Sequence, residues 1–231
     1  MNDLQKTDDE KSVLRWGGLA GMLSGILFIL TIITLLVLVP EPATEPKEWL
    51  MNDPDNRAVM WLGESLALAA YILSVTLYLA LYRALRGTSL ASALFGTGLV
   101  FLGFAAFAAG ALPNIALAEI ADLYHAPGAT PVEQTALIPM WHAIQGVFYE
   151  TDTVGFIFLT IGLIVLGVGM LRAPNFGMGF GGVSVVIGVV GVVGIYVVGL
   201  GSLSFAPVVV LTSVVFPLLF GWKVYRLSRA P

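Results

Sequence analysis

The sequence predicts an all-α, polytopic membrane bundle of six transmembrane helices. The chain has 231 residues, of which 58% are hydrophobic and 11% are charged, so polar groups are too few to cover a soluble globule. The apolar residues fall into six long segments, and each approaches or exceeds the roughly 20 residues that a helix needs to cross a bilayer. Basic residues gather in alternate loops, which is typical of a multi-span protein.

The six predicted spans leave no long polar stretch for a second domain. They cover residues 17–40, 58–82, 90–112, 147–171, 177–199 and 205–222. The first span is too long for a signal sequence and lacks a small-x-small cleavage site, so we interpret it as a retained helix. The sequence therefore predicts a cytoplasmic tail over residues 1–15 and a single membrane domain over residues 16–231.

The distribution of basic residues predicts the orientation of these spans. Of the 11 lysines and arginines, only Lys47 and Arg57 lie on one side, and the other nine lie in the tail, the second and fourth loops and the C-terminus. Basic residues near helix ends resist translocation, so both termini are expected in the cytoplasm. The protein is then a multi-pass component of the inner (cytoplasmic) membrane.

The segment over residues 113–146 predicts an extracytoplasmic cap. Thr130 is suited to cap a helix, Pro131 to occupy its first position, and Glu133 to complete a capping box. A helix that begins there continues into the fourth span, and the third span continues past Pro113 toward Tyr124. Both helices are therefore expected to project beyond the membrane.

Glycines recur every seven residues in the third and fourth spans. A repeat of seven keeps one face of a helix toward a partner, and small residues allow two backbones to approach closely. These neighbouring spans are therefore expected to pack as an antiparallel pair. The glycines are Gly96, Gly103 and Gly110 in the third span and Gly155, Gly162 and Gly169 in the fourth.

A polar stripe follows one face of the second span. Glu64, Tyr71, Ser74 and Tyr78 fall on that face at 100° per residue. Glu64 lies roughly 9 Å inside the outer start of the span, at ~1.5 Å per residue, where a carboxylate needs a partner, water or a proton. The stripe serves either structural hydrogen bonding or the binding of a ligand or proton.

Further polar residues collect at the predicted outer face. A solvated acidic cap and a metal or acid–base centre both account for them, although their spacing matches no known ligand motif. The chain has no cysteine, which excludes disulfides and thiolate ligands. We predict no bound metal and no cofactor. The candidates are Asn114, Glu119, His125, His142, Glu150 and Asp152.

No nucleotide-binding loop, dinucleotide fingerprint or hydrolase nucleophile elbow is present in the sequence, and the loops are too weakly basic for nucleic acid. Three functions remain. The first is a noncatalytic accessory subunit or lipophilic-ligand binder, the second a small proton-coupled transporter that uses the stripe, and the third a membrane enzyme with an acidic and histidine site at the outer face. The expected partners are membrane lipids, other membrane subunits or a second copy of the chain.

A glycine pattern marks several parts of the chain. Arg15, Gly17, Gly18 and Gly21 open the first span, Leu62-Gly63-Glu64 opens the second, and the run from Gly162 to Arg172 is followed by Pro174 and the glycine-rich fifth span. In this pattern the chain resembles uncharacterised small six-span proteins of the bacterial inner membrane, which form a domain family of unknown function. The resemblance covers most of the membrane domain, implies a bacterial helical bundle and carries no catalytic residue with it.

The predicted orientation leads to a labelling experiment. The chain has no cysteine, so a single cysteine at Ala129 is the only thiol present. We expect a membrane-impermeant maleimide to label Ala129→Cys in intact cells and to leave a cysteine in either terminal tag unlabelled until the cells are lysed. Labelling of a terminal tag in intact cells would contradict the orientation.

Overall fold

A computed structural model describes residues 3–38, 46–198 and 205–229, and every regular element in these ranges is helical. The side chains at positions 3–7, 46, 49, 52–56, 111, 114 and 115 lie outside this description. The elements are α1 (Asp3–Val37), α2 (Pro46–Leu85), α3 (Leu90–Tyr124), α4 (Pro131–Arg172), α5 (Gly177–Val198), α6 (Ala206–Val209), a π-helical segment (Val210–Val215) and α7 (Phe216–Leu227).

In the described part of the chain, six helical spans are long and apolar enough to cross a membrane. They confirm the six predicted spans and the all-α membrane bundle. Pro40 and Gly199, where the first and fifth spans were predicted to end, lie outside the described residues. The six spans are α1 from Asp8, α2 from Arg57, α3 as far as Gly110, α4, α5, and the continuous rod from Ala206 to Leu227.

The six spans form a closed ring. Each packs against the spans that precede and follow it, and α7 returns to pack against α1. Across the centre, α2 also contacts α4 and α7. We call the end of the bundle with the α3–α4 turn the hairpin end, and the end where α1 begins and α7 finishes the terminal end.

Glycines set the closest approaches between neighbouring spans. A methyl group at Gly103 of α3 would lie 2.8 Å from the carbonyl oxygen of Gly155, and one at Gly162 of α4 would lie 2.9 Å from that of Gly96. At the α1–α7 contact, a methyl group at Gly221 would lie 2.8 Å from the Gly18 carbonyl oxygen. Apolar burial does not drive helices together in lipid, so close backbone contacts of this kind are the main source of association.

The sixth span is continuous although it contains two prolines. Pro207 lies in the first turn of α6, where its missing N–H costs nothing. Pro217 lies in the first turn of α7, directly after the π-helical segment. Proline removes a helical hydrogen bond and crowds the preceding turn, and the wider π turn accommodates both effects.

A column of aromatic rings, in edge-to-face, tilted and stacked contacts, fills the centre of the bundle. Successive ring centroids lie between 4.1 and 5.7 Å apart, and all pairs except the closest, Phe216 and Phe220, fall within the usual range of aromatic pairs. Side chains from α2, α3, α4, α5, α7 and the start of the sixth span contribute. From the hairpin end to the terminal end the column comprises Phe205, Phe156, Phe107, Tyr71, Phe104, Tyr78, Phe216, Phe220 and Phe180.

The α2, α3 and α4 helices extend past the other spans at the hairpin end and share a small apolar core there. α4 has 42 residues, about twice the number that crosses a bilayer. Thr130 and Glu133 form the predicted capping box at its start. The His125 imidazole Nε2 lies 2.7 Å from the Leu50 carbonyl oxygen and ties the turn to α2. The shared core comprises Leu50, Leu117, Ile120, Ala121, Tyr124 and Trp141.

At the terminal end, α1 begins at Asp3, within the segment that the sequence assigns to a tail. The carboxylate of Glu10 accepts hydrogen bonds from Arg83 at 2.6 Å and from Arg86 at 3.2 Å. These ion pairs hold the first turns of α1 against the end of α2. The helix therefore continues through residues that composition alone assigns to solvent.

The α3–α4 seam can be tested with a matched pair of glycines. Gly103→Leu places a side chain against the α4 backbone, and overpacking of this kind costs about 1 to 3 kcal/mol. Gly98 lies on the same helix, and an added methyl group there meets nothing within 4 Å. We expect Gly103→Leu to lower the thermal stability of the detergent-solubilised protein and Gly98→Leu to leave it unchanged or raised. Equal stability of the two variants would show that the seam is not tightly packed.

Candidate functional site

A groove of about 230 Å³ opens at the hairpin end, between the α1–α2 pair and the α3–α4 pair. Its α2 wall is formed by Arg57, Met60, Trp61 and Glu64, which recur at helical spacing. The lining residues of α4 also recur at helical spacing. Each of the two helices therefore presents one face to the groove. The remaining lining residues are Leu35, Leu117, Ala118, Trp141, Gln145, Phe148 and Tyr149.

Trp141 is the most informative residue of the groove. Its side chain is 5% exposed, and its indole N–H has no hydrogen-bond partner among the described residues. A buried donor without an acceptor is costly, and in native proteins it usually has water or a ligand as its partner. The side chain is buried because α4 turns this face toward α2 and α3.

Charged groups lie at two heights along the groove, an upper level near the α3–α4 turn and a lower level nearer the terminal end. At the upper level, the Arg57 guanidinium Nη1 is 2.7 Å from the Asp122 carboxylate, which joins α2 to α3. At the lower level, Glu64 of α2 and Asp152 of α4 lie close enough for their carboxylates to repel each other when both are charged. A methyl group at Gly110 would lie 3.1 Å from the Asp152 Oδ1 atom, so the absence of a side chain there makes room for this carboxylate.

Glu64 and Asp152 lie at one level along the bundle axis. Each is about 20 residues from the terminal end of its helix, Leu85 for α2 and Arg172 for α4. At ~1.5 Å per residue this is ~30 Å, the thickness of the hydrocarbon core. Measured from those ends, a hydrocarbon core of this thickness would reach the level of the two carboxylates.

The rest of the predicted polar stripe packs inside the bundle. Tyr71 and Tyr78 belong to the aromatic column. Ser74 is buried, and its hydroxyl lies 2.7 Å from that of Ser24, which donates to the Ala70 carbonyl oxygen at 2.9 Å. Of the four residues predicted in the stripe, only Glu64 lines the groove.

The outer-face candidates do not form one cluster. His125 is bonded to α2 and closes the α3–α4 turn, whereas His142, Glu119 and Glu150 are exposed. Asn114 lies on α3, and its side chain is outside the described residues. Asp152 lies near Glu64, which lines the groove. In the described ranges, no three His, Asp or Glu side chains come together in a way that could hold a metal ion.

Trp141, Gln145, Phe148 and Tyr149 were not predicted as a group, although their spacing carries the signal. They recur at i, i+4, i+7 and i+8 of one helix, which places them on one face. All four lie in the helix that the sequence predicts from Thr130 into the fourth span, so this face could have been found from the sequence.

The Ser24–Ser74 contact yields a prediction about the stripe. In membrane proteins an interhelical hydrogen bond contributes about 0.6 kcal/mol on average, with a maximum near 1.7. A double-mutant cycle of Ser24→Ala and Ser74→Ala, measured by reversible unfolding in mixed micelles, should give a coupling free energy in this range. A coupling of zero would mean that Ser74 is not held by α1 and is available for another role.

No protein-family model, curated protein or solved structure matches this chain.

Proposed function

We propose that this multi-pass membrane protein binds an amphiphilic molecule in the hairpin-end groove. The observation that carries the proposal is the buried indole N–H of Trp141, which lacks an acceptor among the described residues at the wall of an open groove. The apolar part of the ligand packs against Met60, Leu117 and Phe148. Its head group interacts with the carboxylate of Glu64, and a polar group farther along the molecule supplies the acceptor for Trp141.

The position of the groove supports an amphiphile over a water-soluble ligand. The lower carboxylates lie at the expected membrane boundary, and the space above them lies between projecting helices. A molecule held there lies next to the membrane boundary, with its apolar part against the apolar side chains of the groove and its polar groups among the polar ones. Ligands of this kind gain affinity from apolar area, and a few placed polar groups set their orientation.

The packed interior favours a binder over a transporter. Below the groove the aromatic column fills the centre, with Tyr71 stacked 5.0 Å from Phe107 and Tyr78 stacked 5.7 Å from Phe216. A transport pathway needs a polar or hydrated route past this level, and these stacked rings leave the lower part of the stripe without one. For the enzyme alternative, the described ranges hold no group of three His, Asp or Glu side chains that could bind a metal ion.

We further propose that both termini face the cytoplasm in a bacterial inner membrane, so that the hairpin end is extracytoplasmic. The asymmetry of the basic residues supports this orientation. Membership in the family of small six-span inner-membrane proteins is likewise a proposal, supported by the glycine and proline pattern of the sequence. An accessory role in a larger complex is compatible with ligand binding but rests on no particular contact.

Native mass spectrometry of the protein, released from gentle detergent, tests the binding proposal. We expect the purified protein to retain an amphiphile of defined mass. Trp141→Phe removes the N–H and keeps most of the ring, and loss of one buried hydrogen bond should weaken retention by roughly tenfold. Ala118→Trp fills the groove and should abolish retention.

Trp16→Phe is the matched control, because Trp16 is 68% exposed at the terminal end, away from the groove. It should retain the ligand as the wild type does. Glu64→Gln in the same assay reports on the charge of the head group. A cationic head group loses its counter-ion in this variant and should be retained less well, whereas a neutral donor keeps an acceptor and should be retained as before. Retention unchanged in both Trp141→Phe and Ala118→Trp would disprove binding in this groove.

A further inference from the structure

A second groove lies at the terminal end, between α1 and α7, with a volume of about 570 Å³. Trp222, Tyr225 and Arg226 of α7 line it together with Met22 of α1 and with Arg229, which lies two residues past the end of α7. These four C-terminal residues recur at i, i+3, i+4 and i+7, and the first three lie on one face of α7. Neighbouring glycines bring the two helices together here, because a methyl group at Gly18 would lie 2.5 Å from the Tyr225 nitrogen.

The two arginines of this groove are held by aromatic rings. The Arg226 guanidinium carbon lies 4.9 Å from the centroid of the Trp222 ring, and that of Arg229 lies 4.6 Å from the Tyr225 ring. Arg229 also donates to the Tyr225 hydroxyl. A guanidinium group stacked on a ring keeps the N–H groups of its edge available to an anion, in the planar arrangement that suits a phosphate.

Their charges are not neutralised within the described part of the protein. Neither arginine pairs with a carboxylate there, whereas Arg83 and Arg86 at the same end both bind Glu10. Arg226 and Arg229 are exposed and follow the last apolar turn of the sixth span, which ends at Leu227. This is the level at which the phosphate groups of a bilayer lie.

We propose that the groove binds the phosphate head group of an anionic membrane lipid. Arg226 and Arg229 donate to the phosphate oxygens, and the indole of Trp222 and the side chain of Met22 contact the first carbons of the acyl chain. Basic pockets between transmembrane helices at a membrane surface have this specificity, because the charge selects the head group and the apolar wall selects a lipid. This site is independent of the hairpin-end groove.

The test uses the full chain, delipidated in a neutral detergent, with added phosphatidylglycerol or with phosphatidylcholine of the same chains. We expect native mass spectrometry to show a roughly tenfold preference for phosphatidylglycerol, since each basic group near a lipid surface contributes appreciable attraction. Arg226→Gln/Arg229→Gln should remove that preference. Arg15→Gln/Arg172→Gln deletes the same number of exposed charges at the same end outside the groove and should keep it.

Three outcomes would overturn the proposal. If the wild type retains the two lipids equally, the site has no specificity for the head group. If both double variants lose the preference for phosphatidylglycerol equally, the preference comes from net charge alone. Displacement of the lipid by millimolar glycerol phosphate would show that the phosphate binds without its chain. Thermal stability is measured for each variant, and if the groove double variant does not fold, Arg229→Gln alone carries the same comparison against Arg172→Gln.

Discussion

The close approach of α3 and α4 is the contact on which the rest of the structure depends. Inside the bilayer these helices gain nothing from burying apolar side chains against each other, so their association needs backbone contact. Gly103 and Gly155 provide it on facing helices, as do Gly96 and Gly162. Because the contact is continuous, the two helices stay together beyond the membrane and build the projecting hairpin end. Without this pair, the groove would have only its α2 wall.

The aromatic column determines what the interior of the bundle can do. A ring of six helices leaves a central space that smaller side chains would fill incompletely. Here rings from several helices contact one another along the axis, and Tyr78 and Phe216 are almost completely buried. Close packing of this kind resists rearrangement, since interiors respond to strain by discrete shifts and not by continuous deformation. Binding at either end is therefore better explained by local side-chain adjustment than by movement of a ligand through the centre.

The architecture could be predicted from the sequence because bilayer thickness and hydropathy act on whole segments. The start of α4 could be predicted from Thr130 and Glu133 because a capping box is a local interaction. The site could not, since its residues come from four helices and their grouping depends on crossing angles. Ser74 and Tyr78 illustrate the difference, because the α2 periodicity puts them on one face with Glu64. The surroundings of that face depend on the neighbouring helices. Ser74 meets Ser24 and Tyr78 meets Phe216, whereas Glu64 meets a groove.

Three buried side-chain polar atoms lack a partner among the described residues, and they differ in how easily the protein itself could supply one. The hydroxyl of Thr97 lies within α3, where a rotation about one bond brings it toward the carbonyl oxygen four residues earlier. Arg83 is already bound to Glu10 through another nitrogen of the same guanidinium group. Trp141 has neither option, because its single donor is fixed on a rigid ring and cannot turn to the backbone of its own helix. Of the three residues, it alone lines the hairpin-end groove. Water or the ligand proposed for that groove is therefore the source of the acceptor that its own helix does not offer.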